Sequence, residues 1–205
     1  MNWLRTAASA YSHVTADPEW PKYEILESNK VYEKRRYQPF TCAAYAFTAT
    51  VGDEPVMSNL WKLVKYTQGG NVDGKTLIMC LPIMVKVRPS TSNDRENHFT
   101  LLLILDKDIH NSSAPIPNID GVFIYQQPER IFYAKRFGGF AKEADWKRES
   151  QSILDICKDF AINREEVISA TYDMPTKLVN RHNEVLVSEL IENKENEPTD
   201  PVSDK

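Results

Sequence analysis

DEPVMSNLWKLVKYTQGG, residues 53–70, is a helix with both of its ends written into it. Asp53 is a good N-cap residue, and Pro55 stands in the first turn, where a proline removes no needed hydrogen bond. Gly69-Gly70 stops the helix, and Lys62 and Lys65 lie toward the negative end of its dipole. At roughly 100° per residue, Val56, Leu60, Leu63 and Val64 share one stripe, enough to seat the helix on a core. Met57 and Trp61 widen the apolar surface to one side, and Lys65 continues the same i, i+4, i+8 ridge. Two readings fit this ridge. In one, Met57 and Trp61 are further core and Lys65 reaches into water along its own stem. In the other, the three hold a flat apolar ligand with an acidic edge.

Short β-prone runs surround this helix. Residues 31–37 (VYEKRRY) mix aromatic and charged groups as an exposed strand does, and residues 40–51 set Cys42, Ala44 and Ala46 against Tyr45 and Phe47 on alternate faces. After the helix come strands over 75–88, with Pro82 as a bulge or edge device, and over 99–106. The order then recurs. Residues 121–126 and 130–137 are strands, Gly138-Gly139 is a turn, and 142–160 is a helix with Trp146, Ile153, Leu154, Ile156 and Cys157 inward. Residues 165–172 and 184–190 are strands again. Each half reads strands, helix, strand, strand. This predicts an α+β fold built as a pseudo-two-fold β-α-β-β duplication, with two helices packed on antiparallel sheet. The strand-to-strand links are loops rather than helical crossovers, which favours antiparallel pairing.

The chain has 205 residues, 41% hydrophobic and 26% charged, a globular composition with material for a sizeable core. Its net charge of -4 argues against a broad nucleic-acid surface. Cys42, Cys80 and Cys157 are odd in number and widely spaced, so they read as reduced, buried thiols in a reducing compartment. No run approaches the roughly 18 apolar residues of a membrane span. Residues 1–19 read as an N-terminal arm without a secretory apolar segment, 20–191 as the globular domain, and 192–205 as a polar, disordered tail.

Catalytic chemistry finds no foothold. His13, His98, His110 and His182 show no metal-ligand spacing, no nucleophile or phosphate-loop motif occurs, and no carboxylate pair is marked out for acid–base work. Cys80-Leu81-Pro82 falls short of a Cys-Pro pair and reads as structural. The sequence argues for binding. Two lysines stand beside large apolar groups: Lys65 with Met57 and Trp61, and Lys177 with Tyr172 and Met174.

Four blocks carry a resemblance: Val31-Tyr32-Glu33-Lys34-Arg35-Arg36-Tyr37; Leu63-Val64-Lys65-Tyr66 with Gly69-Gly70-Asn71; Phe137-Gly138-Gly139-Phe140-Ala141-Lys142-Glu143-Ala144-Asp145; and Tyr172-Asp173 through Lys177 to Arg181, Asn183 and Glu184. With the strand MCLPIMV at 79–85, they span about residues 20–190. On these the chain resembles the SOUL/haem-binding protein family, most closely the branch that includes haem-binding protein 1. The resemblance implies a distorted antiparallel β-barrel flanked by two helices, a cytoplasmic location and a monomer without catalytic activity. It implies haem as a non-covalent ligand, and metal-free porphyrins such as protoporphyrin IX, held in an apolar groove beside the first helix. Lys65 and Lys177 would pair with the propionates, Leu60 and Val64 would form the pocket floor, and Met57 and Trp61 its edge, with Tyr172 and Met174 near Lys177. The chain departs from the pattern in three places. Met57 stands where the branch has a basic residue, Leu60 where it has its pocket methionine, and Arg36 where the sister SOUL branch has an axial histidine. No histidine axial ligand is expected. The expected function is a non-catalytic tetrapyrrole-binding protein for buffering or transport. The alternative is an interaction module that uses the same groove for a protein or peptide.

Overall fold

The computed structural model describes residues 14–15, 20–50, 53–90, 96–173 and 176–191. Most of the expected N-terminal arm (1–19) and all of the expected tail (192–205) lie outside the described residues. Among the described residues ten strands and two helices follow in order: β1 (Val14–Thr15), β2 (Tyr23–Ser28), β3 (Glu33–Tyr37), β4 (Phe40–Ala49), α1 (Asp53–Thr67), β5 (Met79–Arg88), β6 (Asn97–Leu105), β7 (Val122–Gln127), β8 (Arg130–Phe137), α2 (Glu143–Ile156), β9 (Val167–Thr171) and β10 (Asn183–Ser188). The sequence had placed all but β1 and β2.

One sheet runs β2-β3-β8-β10-β9-β5-β6-β4-β7, antiparallel at every step, and β1 adds a short parallel ladder to Met79 and Cys80 of β5. From β3 to β7 the order is a palindrome. Exchanging β3 with β7, β4 with β8, β5 with β9 and β6 with β10 reproduces it. This is the pseudo-two-fold α+β arrangement that the repeated element order predicts.

Two short corners explain why the sheet curls. Only Gln38 and Pro39 separate β3 from β4, yet β3 pairs with β8 and β4 with β7. Flat, the two strands would lie six ladders apart, about 29 Å at the usual strand spacing. Three peptide units reach only about 11 Å. Pro128-Glu129 imposes the same condition on β7 and β8. The sheet therefore bends into a distorted half-barrel with its two flanks drawn together.

The pleat divides the core into three layers. The inner face gathers Cys42, Ala44, Cys80, Met84, Leu102, Ile104, Phe132, Ala134, Ile168 and Leu186. The outer face carries α1 over Ala43, Leu101, Leu103 and Leu105, and α2 over Tyr133, Val185 and Val187. Residues 101–105 of β6 are at most 1% exposed because both of their faces are covered. The Pro82 region is a bulge, as expected: Cys80 pairs with Ile104 but Met84 with Leu102, so two extra residues sit on β5.

The stripe of α1 seats it as predicted, with Leu60, Leu63 and Val64 buried. Its stop is also as predicted. Gly69 takes φ +98°, and the Gly70 N–H reaches back to the Lys65 carbonyl at 2.9 Å. Tyr66 is fully buried as well, and its hydroxyl donates to the Pro115 carbonyl at 2.8 Å. At the start of α2 the Lys142 N–H donates to the Asp145 carboxylate at 3.0 Å. Ile153 and Cys157 face inward without exposure, and Trp146, Leu154 and Ile156 are half-buried.

Candidate ligand-binding face

A helix of 15 residues lying on a sheet has two flanks, and the contacts of α1 distinguish them. Lys62 donates to the Tyr45 hydroxyl on β4, and Tyr66 reaches Pro115, so these side chains mark the β7 flank. By the helical spacing Met57, Trp61 and Lys65 lie on the opposite flank of α1. Trp61 packs in the same apolar layer as Ile83 and Val85, the outward residues of β5. Met57 is 52% exposed, Trp61 is half-buried and Lys65 is exposed. Leu60 and Val64 lie beneath them, 6% and 2% exposed, and hold the helix to the sheet.

Beyond the ridge no helix among the described residues covers the outer sheet. Ile83 pairs with Thr171 of β9, and Val85 with Ser169, and all four residues are only partly buried. The two helices thus flank a strip of outer sheet along the β5–β9 ladder. Residues 83–87 (IMVKV) suggest, by alternation alone, that Lys86 faces water. The opposite holds. Lys86 is 7% exposed inside the barrel and donates to the Tyr125 hydroxyl at 2.9 Å, with Glu166 at 3.9 Å. Ile83, Val85 and Val87 are left on the outer face.

The strip has a direction. Leu77 N–H bonds the Thr67 carbonyl, so β5 starts at the C-terminal end of α1 and runs back along it. β9 is antiparallel to β5, so the chain leaves Thr171 toward that same end. The 172–182 connection therefore departs at the Lys65 end of the strip. Lys177 is in that connection, its side chain 45% exposed and paired with Asp173 at 2.7 Å. Met174 lies outside the described residues.

Tyr172 does not join the strip. Its ring packs against the inner-face core, and its hydroxyl donates to Glu184 Oε2 at 2.8 Å. Its ring stacks on His182, with centroids 4.1 Å apart and planes 6° apart. The predicted residues thus fall into two groups, with Met57, Leu60, Trp61, Val64 and Lys65 on α1 and Tyr172 on the other side of the sheet. Sequence reasoning missed Ile83, Val85 and Thr171, whose signal was the buried lysine that re-phases β5.

Tyr172 belongs to a buried polar cluster that closes one end of the half-barrel. Arg35 forms a bidentate pair with Glu184, at 2.7 and 2.9 Å, and donates to the Tyr37 hydroxyl at 3.1 Å. Arg35 Nε also donates to Glu33 at 2.7 Å, and His182 Nε2 lies 2.8 Å from Glu184 Oε1. Burial alone would push the Glu184 carboxyl up, but the bonds from His182 and Arg35, with the Arg35 charge, outweigh it and hold the group at about 2. Burial pushes the Tyr37 hydroxyl up to about 12. The cluster is fully engaged with itself and serves to close the barrel.

Nothing in the remainder favours covalent or metal chemistry. Among the described residues no group of three His, Cys, Asp or Glu side chains is placed for a metal ion. The three cysteines are buried, and burial pushes the Cys42 and Cys157 thiols up, away from the reactive thiolate. His98 is on β6, opposite Arg88 of β5, and His110 is in the 106–121 connection, while His13 lies outside the described residues. No helix among the described residues is long and apolar enough to cross a membrane.

Known proteins match this chain over most of its length. Residues 18–188 match the family model described as SOUL heme-binding protein. Heme-binding protein 1 of Sus scrofa is 28% identical over 170 residues, covering 81% of this chain and 89% of that protein. Heme-binding protein 2 of Homo sapiens is 28% identical over 169 residues, covering 81% and 82%. Among solved structures, the EcmrR C-terminal domain superposes with a TM-score of 0.56 at 6% identity, covering 82% of this chain and 99% of that one, a likeness of fold alone.

Proposed function

We propose, on the premise that this chain belongs to the SOUL heme-binding protein family, that it is a non-catalytic binding protein for haem and other tetrapyrroles. The observation that carries this reading is the strip of outer sheet along β5 and β9, which no helix among the described residues covers, beside the flank of α1 that carries Met57, Trp61 and Lys65. A porphyrin is flat, apolar on its faces and acidic along one edge, and the strip has the complementary features in the same order. A macrocycle presents several hundred Å² of apolar face, so partial burial supplies several kcal/mol at about 25 cal/mol per Å². Trp61 is the aromatic stacking partner, and Ile83 and Val85 are the floor. Lys65 and Lys177 approach the propionates from one end, each worth about 0.5–1 kcal/mol at an exposed site. With no histidine along the strip among the described residues, affinity rests on burial and stacking rather than on an iron bond. Such a site accepts metal-free porphyrin as well as haem, which suits buffering or hand-over more than redox work.

The test is a Soret-region titration of the purified protein with hemin and with protoporphyrin IX, repeated on Trp61→Ala. The expected result is binding of both, within about tenfold of each other, and a loss of about tenfold for both on removing the indole. If neither spectrum changes, or if only hemin binds and gives a strong-ligand spectrum, this reading is overturned. The exposed Leu178, Val179 and Phe140, at 74, 72 and 54%, favour a second reading, in which the same end of the domain docks a peptide. It predicts a protein partner released by Trp61→Ala, with porphyrin binding weak and insensitive to that change.

A further inference from the structure

The two lysines placed toward a ligand's acidic edge are not equivalent. Lys65 is exposed, and among the described residues no carboxylate is set against it. Lys177 is held by Asp173 at 2.7 Å. Asp173 is 13% exposed and fixed by two further links. Its carboxylate accepts the His182 N–H, and its own carbonyl accepts Arg181 at 3.0 Å. Arg181 also donates to the Lys177 carbonyl at 2.9 Å and lies over the Phe140 ring, 4.6 Å from its centroid. The connection is therefore closed on itself, with the Lys177 ammonium drawn back to its root.

We infer that Asp173 is a specificity-determining residue of this site: it occupies Lys177 in the free protein, so an incoming carboxylate must displace it, and the site discriminates against a second acidic group on the ligand. This rests on the tetrapyrrole reading above and adds to it a ranking of ligands by charge. A carboxylate that meets Lys65 gains a new charge-assisted contact. One that meets Lys177 exchanges one carboxylate for another and leaves Asp173 nearby as a like charge, so it gains less. The hydrogen bonds of Asp173 to Lys177 and to the His182 N–H hold its carboxyl below the ordinary range, against the opposing effect of burial. The competitor therefore stays ionised across the physiological range.

Protoporphyrin IX, its monomethyl ester and its dimethyl ester differ only in how many acids they carry, and Soret titration of all three tests the inference. In the unaltered protein, the first free carboxylate should raise affinity more than the second does. In Asp173→Asn, whose side-chain oxygen still accepts the His182 N–H, the ratio of diacid to diester affinity should rise two- to five-fold. That gain should vanish in Asp173→Asn/Lys177→Met. The range corresponds to one exposed ion pair released for the ligand. Equal steps along the ester series in the unaltered protein overturn the role of Asp173, whether or not the variants fold. So does an unchanged ratio in a variant with the parent's circular dichroism, or a gain that survives the loss of Lys177. If the unaltered protein binds none of the three, the tetrapyrrole reading falls and takes this inference with it.

Discussion

Replacing Glu184 by Gln removes one negative charge from the closed end of the half-barrel and little volume. The Glu184 side chain is 1% exposed and faces Arg35, itself 7% exposed. Two routes give the cost. The carboxyl falls from an ordinary 4.5 to about 2 in the fold, and each tenfold change in proton affinity is 1.36 kcal/mol, so ionised Glu184 contributes about 3 kcal/mol at neutral pH. Independently, breaking one side of a buried ion pair costs about 3–5 kcal/mol, with the lower end apt here because Glu33 still contacts Arg35. The sign follows from the depressed value. The contribution is complete above pH 4.5 and disappears as pH falls through 4.5 toward 2. At pH 3 the parent should already have lost about 2 kcal/mol of it. Urea unfolding followed by tryptophan fluorescence should place E184Q about 1.5 M below the parent at pH 7, taking a slope of about 2 kcal/mol per M. The gap should narrow to about a third of that at pH 3. Glu33→Gln, at a partly exposed partner, should cost under about 1 kcal/mol. A gap below 1 kcal/mol at pH 7, or one that is the same at both pH values, would refute this reasoning.

Two further substitutions probe the packing that positions the candidate face. In Gly70→Ala the new methyl would stand 2.6 Å from Ile119 Cδ1 and 2.7 Å from the Lys65 carbonyl oxygen. Ile119 can rotate, but that carbonyl is held by the Gly70 N–H itself, so a loss of about 1–3 kcal/mol is expected in thermal unfolding. Ile153→Ala empties a fully buried site under α2 and should cost about 2–5 kcal/mol by denaturant midpoint.

Periodicity located α1, α2 and eight of the ten strands because each carries a period of its own and a local stop. β2 (YEILES) escaped because both of its faces are largely exposed at the sheet edge, which leaves no apolar alternation to detect. The site was legible only in part. The ridge on α1 could be read because i, i+4 spacing is a property of one helix. Its floor could not, since Ile83 and Val85 become outward only once Lys86 is known to turn inward toward Tyr125. Tyr172 was misleading for a related reason. Beside Lys177 in sequence, it looked like a ligand contact, but a one-residue step at the end of β9 sends it through to Glu184. Partners 39 and 12 residues away decided these orientations, and no local pattern encodes them.

The two corners, Gln38-Pro39 and Pro128-Glu129, have a consequence for how the molecule assembles. Each hands a leading strand to the opposite half: β3 completes the sheet of β8–β10, and β7 completes that of β4–β6. The chain is in effect a strand-exchanged pair of equals joined into one polypeptide. Neither repeat closes its own edge, so neither forms a self-sufficient folding unit, and the most distant segments must meet before either is secure. High contact order of this kind slows folding. It also removes any half-folded resting place, so the domain should be gained and lost as a whole.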